Sequence, residues 1–411
     1  MAQLHITLDQ NEIMQLLLED TGEAFKKLLE TSLNCFLKAE SAEELRAQPY
    51  ERTEERCDMR NGVRERNLTT RIGTLKLEVP RHRDVPFKTL IFENYERCEA
   101  ALVTTMAEMV VSGVSTAKVG RVMETICNKN FSKQTVSEAC KELDKPVEEF
   151  RNRSINTEYP FLIVDATYLK VRENHRIVSK AFLVAMALTP NGRKEILGFD
   201  LADSETKESW KHFFVSLKNR GLHGVQMVTS DAHEGLVGAM QEVFPDVPWQ
   251  RCQAHLVRNI LDATPKHLRV GLKSELTEMF NCETIVGARA RKEEIFNDYK
   301  EYAPKAMECL EMGFDDAMTV MELPVPMRRC TRTSNYLERL NREIKRRANV
   351  IGIFPNTQSA MRLVGSHLIH EHEYWMTKRE LYYNNAYEAL IERRPQLIKI
   401  AQLQQQLIQA A

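Results

Sequence analysis

Several things are scarce in this chain, and each scarcity closes off a class of protein. No apolar run in the sequence approaches the roughly 18 residues that a membrane helix requires. The nine cysteines are an odd number, scattered singly from Cys35 to Cys330, so they make no disulfide framework and fit a reducing cytoplasm. The opening residues, MAQLHITLDQ, lack the basic and apolar regions of a signal peptide, and nothing in them directs export. An excess of one charge is missing as well. With 57 Lys and Arg against 58 Asp and Glu, the net charge of −1 gives no global attraction to a polyanion. A nucleic acid partner would have to be held by local basic surfaces. What is present is 411 residues, enough for two to four domains, with 43% hydrophobic and 28% charged content ordinary for a soluble globular protein.

The chain organises around Phe161 to Arg172, FLIVDATYLKVR. Four large apolar residues, too short and too β-branched a run for a buried helix, read as a central strand that delivers Asp165 into the core. A buried acid is costly unless something charged meets it, whether a partner Arg or Lys or a metal ion. Two further strands, Val178 to Leu188 and Glu195 to Leu201, follow through short turns and suggest an antiparallel meander. A helix with Trp210, Phe213, Phe214 and Leu217 on one face comes next. Then Val225 to Ser230 forms a fourth strand that delivers Asp231, and Trp249 to Cys252 a short fifth. A strand-helix-strand crossover lays the fourth strand beside the first, so two acids 66 residues apart can meet. Asp231 also suits a helix N-cap.

On either side of this region the pattern is different. Residues 1–45 read as a helical unit, with Thr7 or Asp9 capping a first helix and Thr21 a second. Residues 46–97 read as a basic, β-rich unit. There Leu68 to Val79 alternates as one strand stopped by Pro80, with Phe87 to Phe92 as a returning strand, and Arg81 and Arg83 can track a phosphate backbone. Residues 98–150 carry three helical patterns, Ala100 to Val111, Ser115 to Cys127 and Ser132 to Phe150. This is helix-turn-helix spacing, with Lys133, Gln134, Thr135 and Ser137 at the start of the recognition helix. Residues 158–255 hold the strands, residues 256–327 an all-helical insertion, and residues 328–411 a helical return. Between Arg328 and Arg347 eight basic residues face two acids. The helix here has Leu337, Leu340, Ile344 and Ala348 as its apolar stripe, with Ser334 or Asn335 as cap. Glu338, Asn341 and Lys345 share one shoulder of the stripe and Glu343 lies on the other. Arg342, Lys345 and Arg346 are candidate phosphate contacts.

DATYLKVR, SETKESWKHFFVSLKNRGLHGVQMVTSDAHEGL, WQRCQAH and TSNYLERLNREIK occur in this order, preceded by RNGVRERNLTTRIGTLKLEVPRHRD. In these motifs, over nearly its whole length, the chain resembles the mutator-type transposases of bacterial insertion sequences. The resemblance implies an α/β fold: a ribonuclease-H-like catalytic domain interrupted by an all-α insertion and preceded by helical, β-hairpin and helix-turn-helix DNA-binding units. It implies an Asp-Asp-Glu triad at Asp165, Asp231 and Glu338, all three as metal ligands. It further implies transposon-end and target DNA as partners, a homodimer or larger synaptic complex, a nucleoid-associated cytoplasmic location, and copying through a circular intermediate. Cys252 and His255, spaced C-x-x-H, match a family signature. Half a zinc site is spelled there without a second pair to complete it, so a structural role is expected.

The chemistry explains the residue types. Two-metal phosphoryl transfer sets a pair of Mg²⁺ ions, with Mn²⁺ as substitute, between attacking and leaving oxygens, and hard cations take oxygen ligands. Two other functions remain open: a ribonuclease-H-like nuclease that needs no helix-turn-helix, and a non-catalytic DNA-binding regulator on an inactivated transposase body.

Overall fold

The computed structural model describes residues 21–51, 53, 55–70, 73–89, 100–127, 131–382 and 385–410. The chain forms two compact units, Met1–Glu142 and Leu143–Ala411. The helix expected from Thr7 or Asp9 lies outside the described residues.

In the first unit, α1 (Thr21–Leu45) packs Leu29, Leu33 and Leu37 against Leu68, Leu75, Leu77 and Val79 of a two-stranded hairpin. The hairpin pairs β1 (Arg60–Thr70) with β2 (Gly73–His82). Asn34 fastens the helix to it, donating to the Lys76 carbonyl at 3.2 Å and accepting from the Glu78 N–H at 2.8 Å. The segment LTTRIGTLKLEV is therefore not one strand. The chain reverses between Thr70 and Gly73, where Gly73 takes φ +115°, a conformation that a residue with a Cβ resists. Alternation continues across this turn, which hides it in the sequence. Pro80 does not end β2 either: it pairs with Val63 next to a register shift, where a missing N–H is tolerated. Phe87 to Thr89 are not strand, and the rest of that expected element lies outside the described residues.

Three helices follow: α2 (Ala100–Val111), α3 (Thr116–Cys127) and α4 (Lys133–Ala139). They share a core of Leu102, Met106, Val119, Met123, Phe131, Val136 and Ala139. A Cβ at Gly120 would stand 2.5 Å from the Phe131 carbonyl oxygen, so the approach of α3 to the start of α4 requires glycine. The single helix expected from Ser132 to Phe150 is broken. A 3-10 turn, Cys140–Leu143, separates α4 from α5 (Asp144–Asn152), which belongs to the second unit. Pro146 explains the break, because it has no N–H for the carbonyl four residues back and its ring clashes with it.

The second unit is built on a five-stranded sheet in the order β5-β4-β3-β6-β7. Its strands are β3 (Phe161–Glu173), β4 (Arg176–Leu188), β5 (Lys194–Ala202), β6 (Met227–Ser230) and β7 (Trp249–Arg251). The first three form the expected antiparallel meander, and β6 and β7 run parallel to β3. Between β5 and β6 lies α6 (Lys207–Asn219), and between β6 and β7 lies α7 (Glu234–Val243). Trp210, Phe213, Phe214, Leu236 and Met240 from these helices pack on Leu162, Val164, Leu183 and Val228. Strand alternation turns Phe161, Ile163 and Asp165 to the opposite face.

After β7 come α8 (Gln253–Asp262), α9 (Arg269–Phe280), α10 (Ile285–Tyr299) and α11 (Pro304–Met318). They enclose an apolar core of their own that includes Leu256, Leu276, Ile295, Leu310 and Phe314. A short helix, α12 (Val325–Thr331), leads to α13 (Asn335–Ile351) and α14 (Thr357–Met376), which pack on the Asp165 face of the sheet. Arg362 of α14 holds Asp144 of α5 through two bonds of 2.6 and 2.7 Å. The chain ends in α15 (Asn385–Glu392) and α16 (Arg394–Ala410). Its glutamine-rich stretch is anchored to the sheet. Gln404 accepts from the Trp249 N–H and donates to its carbonyl, both at 2.9 Å, covering the edge of β7 as a further strand would. Among the described residues no helix is long and apolar enough to cross a membrane.

Candidate active site

Asp165 sits midway along β3, buried. The parallel ladder pairs Ile163 with Thr229. Carried two residues further on both chains, that register brings Asp231, just past the end of β6, alongside Asp165. Burial first, and then the charge of Asp231, push the Asp165 carboxyl up to about 7, while His255 opposes the rise. Its two oxygens are each met once: Oδ1 accepts the Ala166 N–H at 2.9 Å and Oδ2 the Asn341 amide at 3.0 Å. Among the described residues no cation lies within ion-pair distance of it, so a partner Arg or Lys does not account for this buried acid there. Asp231 is not a helix N-cap, since His233 holds that position in α7. Its Oδ1 is buried without a hydrogen-bond partner.

Glu338 arrives from α13, which is anchored at both ends. At its start, the Ser334 hydroxyl and N–H both reach the Cys252 sulfur at 3.3 Å, so Ser334 spends its side chain on Cys252 and not on capping the helix. Beyond its end, Phe354 bridges to β3, accepting from the Arg172 N–H at 2.8 Å and donating to the Lys170 carbonyl at 2.9 Å. Held so, α13 turns Asn341 onto Asp165 and Glu338 toward α8. There His255 Nε2 and Arg258 each lie 3.3 Å from the Glu338 carboxylate.

Cys252 and His255 thus belong to the site. Burial pushes the Cys252 thiol up, but the His255 imidazole and the Ser334 donors outweigh it and hold the thiol below its ordinary value. His255 is raised to about 9, first by its hydrogen bond to Cys252 and against burial, then by the Cys252, Asp165 and Glu338 charges. Among the described residues, ligand atoms of Cys252, His255 and Glu338 all fall within 4.8 Å of one another. The three acids do not gather so tightly: Asp165 and Asp231 form a pair, and Glu338 is drawn aside by His255 and Arg258.

The family profile described as Transposase, Mutator family matches residues 1–378. The chain belongs to the Mutator family of transposases. It is 40% identical over 388 residues to the transposase for insertion sequence element IS256 in transposon Tn4001 of Staphylococcus aureus, covering 93% of this chain and 99% of that protein. The transposase for insertion sequence element ISRM5 of Rhizobium meliloti is 40% identical over 86% of this chain and 89% of its own length. That for element IS1081 of Mycobacterium tuberculosis is 36% identical over 89% of each. A solved structure described as the Mos1 transposase paired-end complex with left transposon end aligns at 9% identity and a TM-score of 0.15, over 40% of this chain and 61% of that one, a similarity too low to inform the fold.

The remaining sequence candidates of this transposase lie on three different elements. Lys133, Gln134 and Ser137 are exposed on α4, whereas Thr135 is half-buried, its hydroxyl 2.9 Å from that of Ser132 and its N–H donating to the same hydroxyl at 3.1 Å. Arg81 and Arg83 are exposed at the end of β2. Arg342 and Lys345 are exposed on α13, but Arg346 is tied to Glu343 at 2.9 Å. Sequence reasoning missed Arg258; its signal was the spacing of three from His255, one helical turn along α8.

Proposed function

We propose that this transposase cuts and joins DNA with Asp165, Asp231 and Glu338 as its catalytic carboxylates, on a ribonuclease-H-like domain formed by the second unit. The reading is carried by one observation: Asp165 and Asp231 are forced together at the sheet centre with a buried carboxylate oxygen left unmet. The strand order 5-4-3-6-7, antiparallel then parallel, supports the ribonuclease-H-like assignment. The donor set fits a hard divalent cation, because carboxylate oxygens are what Mg²⁺ prefers and its charge would offset the repulsion between the aspartates. Bound there, two Mg²⁺ ions or Mn²⁺ would activate the attacking oxygen and stabilise the leaving one.

The chain's own groups supply the rest. Asn341 fixes one Asp165 oxygen and leaves the carboxylate oriented toward Asp231. His255, held by Cys252 and Ser334, positions Glu338. Arg258 is half exposed, so a DNA phosphate competing for its guanidinium would free Glu338 to join the aspartates. In the first unit, α3 and α4 act as a helix-turn-helix that reads the terminal inverted repeats, and Arg81 and Arg83 follow the backbone. A homodimer or larger complex would pair two ends, liberate a 3′-OH and transfer it, through a copied circular intermediate. Domain limits at residues 45, 97, 150, 255 and 327 suit these roles.

The test is a supercoiled plasmid carrying the inverted repeats that flank the reading frame. Asp165→Asn, Asp231→Asn and Glu338→Gln should each lower strand cleavage on the order of 10³-fold or more while end binding, read by gel shift, persists. Wild-type cleavage by any one of them refutes the assignment.

A further inference from the structure

On the far side of α13 from the acids lies a cleft of about 780 Å³, walled by α13, α14 and the start of β5. Its size is that of a small-ligand pocket, roughly 300–1,000 Å³. It is not an apolar hole. Tyr336, Tyr374 and Trp375 supply rings, and Lys194, Arg339 and Lys378 supply positive charge. Each of these rings carries an ammonium over one face. Lys194 Nζ lies 4.4 Å from the centre of Tyr336 and 5.0 Å from that of Trp375, and Lys378 Nζ lies 4.1 Å from the centre of Tyr374.

The balance of charge favours an anion. Among the described residues no carboxylate stands within ion-pair distance of Lys194, Arg339 or Lys378. Of the two acids in the wall, Glu343 is already bound by Arg346 at 2.9 Å and Arg347 at 2.7 Å, which leaves Glu371 alone against three cations. Burial, and then the nearness of Arg339 and Lys378, hold the Lys194 ammonium below the ordinary lysine range; Glu371 works the other way. Flat rings beside uncompensated cations are what an unpaired nucleotide requires: a face to stack its base and a charge for its phosphate. Duplex DNA offers phosphates but no free base face.

We propose that this cleft binds an unpaired nucleotide of single-stranded DNA, its base stacking on Tyr336 or Tyr374 where a lysine now rests and its phosphate taken by Arg339 and Lys378. Because α13 is only about 10–12 Å across, a strand leaving the acids reaches the cleft within a few nucleotides. The inference rests on the DNA substrate proposed above but not on the catalytic role of the three acids.

Binding without catalysis is therefore the test. The full-length chain is titrated in EDTA, by fluorescence anisotropy, with oligodeoxythymidylate and with a blunt duplex. Arg339→Ala/Lys378→Ala replaces exposed side chains only, and should weaken single-strand binding about ten-fold while moving duplex affinity less than about two-fold. An unchanged single-strand affinity, or an equal loss for both ligands, overturns the proposal. In wild-type protein, a 5-iodouracil placed in the oligonucleotide should photocrosslink to Tyr336, Tyr374 or Trp375; crosslinks confined to other residues overturn it as well. Failure of wild-type protein to bind the duplex would instead count against the DNA substrate itself.

Discussion

Two glutamates on α13, five residues apart, have opposite surroundings. Glu343 is served by its own helix: Arg346 and Arg347 lie one turn on, and the Arg347 hydrogen bond, followed by that of Arg346, holds its carboxyl below the usual range. Glu338 has no such local partner. Its contacts, His255 and Arg258, come from α8, about 80 residues away in sequence. An acid with partners at i+3 and i+4 is a helix-surface feature worth a few tenths of a kcal/mol. An acid that distant elements must be brought together to meet is placed for something other than the helix. The apolar stripe of Leu337, Leu340 and Ile344 separates the two.

The sharpest way to break this contrast is to neutralise each acid. Glu338→Gln should lower strand cleavage on the order of 10³-fold, with thermal stability little changed. Glu343→Gln should leave cleavage within about three-fold and cost at most about 1 kcal/mol, the value of a surface ion pair. Equal effects on cleavage would erase the distinction. Cutting the stripe between them should act on both faces at once: Leu337→Ala, fully buried, should cost about 3 kcal/mol in denaturant unfolding. A loss below about 1 kcal/mol would mean that α13 is not held by this stripe. One step further from the acid, His255→Gln should reduce cleavage about 10- to 100-fold, the usual cost of losing a group that orients a ligand, while end binding in a gel shift stays intact.

The contrast also marks what the sequence could reveal. Periodicity is local, so β3, the meander and the α13 stripe were legible, and a 100° count placed Glu338 and Asn341 together and Glu343 apart. The meeting of Asp165 and Asp231 was legible because one crossover fixes the parallel register. Long-range polar contacts leave no local trace. Nothing near Ser334 announces that it would bond Cys252 in place of capping α13, and nothing near Asp144 announces Arg362. The hairpin reversal at Gly73 was hidden for a different reason: two alternating strands joined by a tight turn keep one unbroken period. Pro146 is visible in the sequence, and its missing N–H alone is enough to break a continuous third helix.

A last effect, on stability alone, lies behind the Glu343 face. His367 of α14 is buried, and neither ring nitrogen has a hydrogen-bond partner. Burial, then the charge of Arg347, with His370 and Arg346 adding and Glu343 opposing, lowers it to about 4. The unfolded chain protonates this ring near the ordinary histidine value of 6.5, so between the two values the unfolded state binds more protons than the folded one. The contribution of this ring to stability must then fall as pH drops through about 6.5, and its loss must level off below about 4. At pH 5 the cost should be no more than about 2 kcal/mol. All three tryptophans, Trp210, Trp249 and Trp375, lie in the second unit, so their fluorescence in urea reports that unit alone. Between pH 7.5 and pH 5, wild-type stability should fall relative to that of His367→Met, which is similar in bulk and unable to protonate. Identical pH responses of the two proteins would show that His367 takes up its proton without strain in the folded state, and that the Glu343 face is as tolerant of charge inside as it is outside.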